Sequence, residues 1–66
     1  MKAKVVEARI RPKPDGEAFE VVIRLEGSYD KFVESVHHRQ FQAEARVKEL
    51  LRPGTMIETE KLTPTV

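Results

Sequence analysis

The chain has no cysteine and no tryptophan, and only one tyrosine and three phenylalanines in 66 residues. Without cysteine, no disulfide and no thiolate–metal site can brace the fold. A domain this small buries only about 60% of the surface its unfolded chain exposes and is marginal alone. Stability must therefore come from close packing or from self-association. Long apolar runs are missing too: none approaches the roughly 20 residues of a membrane helix. The N-terminus alternates apolar and charged residues, so no signal peptide is expected. Together with the missing cysteine, this fits a cytoplasmic protein. An excess of charge of one sign is also absent, since 12 Lys and Arg face 11 Asp and Glu, a net charge of +1. A dedicated nucleic-acid binder is usually clearly basic. No glycine-rich phosphate loop and no Gly-x-Ser-x-Gly elbow occurs, so the reading is non-enzymatic, with no cofactor.

What the chain does have is periodicity. Residues 3–11 alternate, with Val6, Ala8 and Ile10 on one face and Glu7, Arg9 and Arg11 on the other. Residues 18–26 repeat this, setting Phe19, Val21, Ile23 and Leu25 against Glu20, Val22 and Arg24. Such alternation is that of half-buried strands. Pro12-Lys13-Pro14-Asp15-Gly16 between them is a turn, because proline fixes φ and glycine accepts positive φ. The register expected for this hairpin sets Ile10 opposite Phe19, Ala8 opposite Val21 and Val6 opposite Ile23.

Gly27 ends the second strand, and Ser28 suits a helix N-cap. Tyr29, Phe32, Val33, Val36, Gln40, Ala43, Val47, Leu50 and Leu51 then project onto one face at about 100° per residue. One long helix over residues 29–51, stopped by Pro53-Gly54, is the preferred reading. The competing reading makes residues 31–37 a third strand and starts the helix near Arg39. Met56, Ile57, Thr59 and Leu62 suggest a last strand at an edge or with a bulge, and residues 63–66 should fray. The expected fold is a single α+β domain over residues 1–66, ββαβ. It has a three-stranded antiparallel sheet of order 2-1-3 and one long helix on one face. The helix half of the core is expected from Phe32, Val33, Val36, Ala43, Val47, Leu50 and Leu51.

Phe41 falls outside the helical stripe. A lone exposed phenylalanine is common, and this one could tuck under the tail. As a functional residue it would anchor a protein interface, with His37, His38 and Lys48 as its rim. Arg9, Arg11, Lys13 and Arg24 form the alternative site, a basic sheet face for nucleic acid. The carboxylates among them and the lack of an aromatic on that face count against it. Glu34, His37 and His38 would share one side of a long helix. Carboxylate-bridged metal sites need two Glu-x-x-His units in a bundle, so no metal is expected. Unpaired edge strands and a small core favour a homodimer.

The hairpin, the helical Ala43-Glu44-Ala45, Pro53-Gly54 and a short final strand resemble many very small phage and mobile-element proteins. Some of these inhibit host machinery, including RNA polymerase and CRISPR–Cas. The resemblance covers residues 1–62 as topology and punctuation. It implies a stoichiometric protein-binding role and assigns no individual residue.

Overall fold

The computed structural model describes residues 1–60 and 62–64. The strands are β1 (Lys2–Pro12), β2 (Phe19–Leu25), β3 (Lys31–His37), β4 (Met56–Glu58) and β5 (Thr63–Pro64), and the helix α1 (Gln40–Leu50) lies between β3 and β4. The class is α+β, as expected. The sheet holds four antiparallel strands in the order β3-β2-β1-β4, and the two-residue β5 lies along the far edge of β3. β4, which holds Met56 and Ile57 of the expected last strand, sits beside β1, as the expected order required. The correction is that a further strand covers the other side of β2.

Residues 31–37 are thus a strand, and the long helix from Tyr29 is not formed. Gly27, at φ 82°, turns the chain out of β2. The Ser28 hydroxyl accepts the Asp30 N–H at 3.2 Å, within this turn rather than at a helix start. β-branched and aromatic residues favour a pleated surface, and β3 supplies Phe32, Val33 and Val36 to it. The pairing also satisfies the free backbone edge of β2, whose Val21, Val22, Ile23 and Leu25 are buried. The helix begins after Arg39, which adopts extended backbone and gives no side-chain cap. It ends where Leu51 and Arg52 donate back to the Val47 and Glu49 carbonyls, and Gly54 turns away at φ 82°.

The β1–β2 hairpin keeps the expected faces but is shifted by two residues. Ile10 opposes Val21, Ala8 opposes Ile23 and Pro12 opposes Phe19. A shift of two preserves which side chains share a face, because the strand period is two. The chain turns within residues 13–18, where Lys13 donates to the Ala18 carbonyl at 2.9 Å. A bulge between Val5 and Glu7 then inverts the phase of the strand. Val5 is buried in consequence, and Val6, expected in the core, is exposed.

The core consists of Val5, Val21, Ile23, Leu25, Ala43 and Leu50. Ala8, Ile10, Phe19, Phe32 and Val47 pack against it as expected, joined by Ala3, Ile57 and Leu62. Val36 and Leu51 are exposed, contrary to expectation. Val33 opposes Val22 on the face away from Ile23 and Phe32, so it does not join the helix side. Thr63 and Pro64, at the start of the tail expected to fray, pair with Val33 and Phe32. Residues 65 and 66 lie outside the described residues. Among the described residues, no helix is long and apolar enough to cross a membrane.

Candidate functional site

Two surfaces emerge from this arrangement: the outward flank of α1 and the open face of the sheet. On α1, Ala43, Val47 and Leu50 point at the sheet. Phe41 precedes Ala43 by two residues, about 200° around the helix, so it points almost directly away from the core. It is 66% exposed. A shallow groove of about 410 Å³ runs beside it, lined by His37, Phe41, Gln42, Ala45, Arg46 and Glu49. Ala45 lies one turn beyond Phe41, and its small side chain leaves the ring's side open.

The groove wall is built by an ion pair. A bulge in β3 between the positions facing Val21 and Val22 makes Glu34 the extra residue. Its carboxylate meets Arg46 of the helix. Arg46 Nε donates to Oε1 at 2.9 Å and Nη2 to Oε2 at 2.5 Å. Arg46 Nη1 also donates to Glu49 at 3.0 Å. Both guanidinium edges are thereby used, and the arginine holds the helix flank to β3. The Arg46 hydrogen bonds hold the Glu34 carboxyl below its ordinary value, against burial, which raises it. A hydrogen bond from Ser35 and the charges of Arg46 and His37 act in the same direction as the Arg46 bonds. Arg46 is in turn held above its ordinary value, first by the bond to Glu34.

Of the expected protein-binding residues, Phe41 and His37 share this groove. His37 sits at the end of β3, its Nε2 2.8 Å from the Ser35 hydroxyl. His38 is exposed but does not line the groove. Lys48 is exposed on the azimuth of Phe41 but two turns further along, roughly 10 Å away at 1.5 Å per residue. The sequence does not point to Arg46 and Glu49, because Arg46 depends on Glu34, 12 residues away on a strand that the periodicity assigns to a helix, and Glu49 acts through Arg46. Glu34, His37 and His38 do not share a helix, and no metal-binding group of three such side chains exists among the described residues.

The open sheet face carries Arg9, Arg11 and Arg24, with Lys13 in the adjoining turn. They share the face but not one chemical state. Arg11 is committed to Glu20, with Nε and Nη2 donating to Oε1 at 3.2 and 2.9 Å. Arg9 Nε lies 3.7 Å from Glu7, which is also 4.0 Å from Lys31. Arg24 has no ion pair among the described residues. Lys31 and Tyr29 adjoin Arg24, a placement that the preferred reading of one helix over residues 29–51 excludes. Tyr29 is 99% exposed. It lines a concavity of about 230 Å³ with Arg24, Gly27 and Ser28.

No family model matches this chain, and neither a curated protein nor a solved structure is significantly similar to it.

Proposed function

We propose that this protein is a non-enzymatic protein-binding module that contacts its partner through Phe41 and the adjoining groove of α1. The carrying observation is the ring itself, two-thirds exposed on the side of the helix away from the core. Aromatic side chains are enriched among the residues that dominate interface energetics, where they fill pockets and exclude water. Here His37, Gln42 and Glu49 supply a polar rim, and Ala45 leaves room for a partner side chain against the ring. The Glu34–Arg46 pair fixes the groove wall before binding, which lowers the ordering cost of association. The resemblance to small phage and mobile-element inhibitors implies the same mode, occupation of a surface. On that reading the partner is a component of a host nucleic-acid machine, such as RNA polymerase or a CRISPR–Cas complex.

The test is affinity capture from the source cell with the wild-type chain and with Phe41→Ala in parallel. A specific partner should be retained by the first and depleted with the second. Capture that is unaffected by the substitution would remove Phe41 from the interface.

A further inference from the structure

We infer that the open face of the sheet binds single-stranded nucleic acid, with Tyr29 stacking on a base and Arg24 holding a phosphate. Three observations converge on this end of the face. The first is charge. Among the described residues, the strands direct six cationic side chains onto the face, against the carboxylates of Glu7, Glu20 and Glu58. The whole chain carries only +1, so this face holds its positive excess.

The second is the pairing around Arg24. It lies between Glu7 on β1 and Lys31 on β3. Like charges directly opposite each other across a sheet repel, and Glu7 already faces both Arg9 and Lys31. A half-buried guanidinium with no ion pair among the described residues, beside a lysine, is a place where a phosphate oxygen would be stabilised. An Arg fork suits phosphate geometry better than a point charge does.

The third is Tyr29. A fully exposed aromatic adjoins Arg24 across the concavity, and the two acidic residues of this loop, Glu26 and Asp30, do not line it. Aromatic platforms beside a basic track are how unpaired bases are held without sequence preference. A stacked base has to be splayed out, which selects a single strand over a duplex. Arg11 takes no part, because Glu20 occupies it. The surface lies on the side of the sheet away from α1, so it is separate from the Phe41 groove.

Tyr29 is the only tyrosine and there is no tryptophan, so the native chain reports on its own site. Titration with a mixed-sequence single-stranded oligonucleotide at low salt should quench tyrosine emission. Affinity, followed in parallel by anisotropy of the labelled oligonucleotide, should fall with salt on a log–log slope of about −2 to −3, as three or four phosphates require. Tyr29→Ala should weaken binding about tenfold, within the range of one lost stack, with an unchanged melting temperature. Arg24→Gln should flatten the salt slope by about 0.7, one phosphate contact. Phe41→Ala should leave oligonucleotide binding intact, so failure here and failure of the protein-binding reading are separable. No binding at low salt would overturn the inference. So would binding that ignores Tyr29→Ala, or polyglutamate bound as tightly as the oligonucleotide and equally dependent on Tyr29, since the occupant would then be an acidic protein.

Discussion

Replacing Glu34 by Gln keeps the side-chain shape and removes the charge that Arg46 grips with two hydrogen bonds. The pair is intermediate in burial, with side-chain exposures of 34% for Arg46 and 12% for Glu34. Exposed ion pairs contribute under about 1 kcal/mol, whereas breaking a buried one costs about 3–5 kcal/mol. Arg46 keeps its bond to Glu49 in the variant, which discounts the loss. A destabilisation of about 2 kcal/mol follows. A 66-residue domain holds only about 3–10 kcal/mol in total, and 1 kcal/mol moves the midpoint of so small a domain by roughly 4–8 °C. Thermal melts at pH 7 should therefore separate the proteins by about 10 °C. The pH dependence carries a sign. The folded carboxyl is held below its ordinary value of 4.5, so its stabilisation is present above that value. It is lost as pH falls through the depressed folded value. The gap between wild type and Glu34→Gln should narrow on acidification through that range. A double-mutant cycle with Arg46→Met should return a coupling above 1 kcal/mol. A coupling near zero, or a gap independent of pH, would refute the claim that this pair fastens the helix to β3.

Leu50→Ala should cost about 2–5 kcal/mol, as burial at 1% exposure implies, and a melt near wild type would displace the helix from the sheet. The bulge at Val5–Val6 predicts opposite fates for neighbours: Val5→Asp should unfold the chain by burying a charge, while Val6→Asp should leave circular dichroism unchanged. Equal effects would mean that the strand keeps a single phase. The short edge strand β4 and the edge of β3, which the described residues cover only at Phe32 and Val33, predict self-association, which sedimentation at micromolar concentration would detect; a monomer mass throughout would dismiss it.

The hairpin could be read from the sequence because Ala8, Ile10, Val21 and Ile23 alternate without interruption, and a two-residue slip does not disturb their faces. Two bulges hid the rest. Val5 and Val6 are the same residue type, so no pattern marks where the phase inverts. In β3 the extra Glu34 places Phe32 and Ser35 on one face and Val33 and Val36 on the other. A spacing of three on each face imitates a helix, and the apolar stripe of α1 continues it by coincidence. That coincidence concealed the central position of β2 and moved Tyr29 and Lys31 off the sheet face where Arg24 lies. Phe41 was legible throughout, because the helix face it avoids is defined by Ala43, Val47 and Leu50 in either reading.

The most direct test of the Phe41 surface is one variant measured twice. Phe41→Ala should leave the melting temperature within a few degrees of wild type, because no core cavity is created. Against the captured partner it should weaken affinity by about 2 kcal/mol or more, roughly 30-fold. A large loss of stability together with unaltered affinity would contradict the account, since the ring would then be packing within the fold and not contacting a partner.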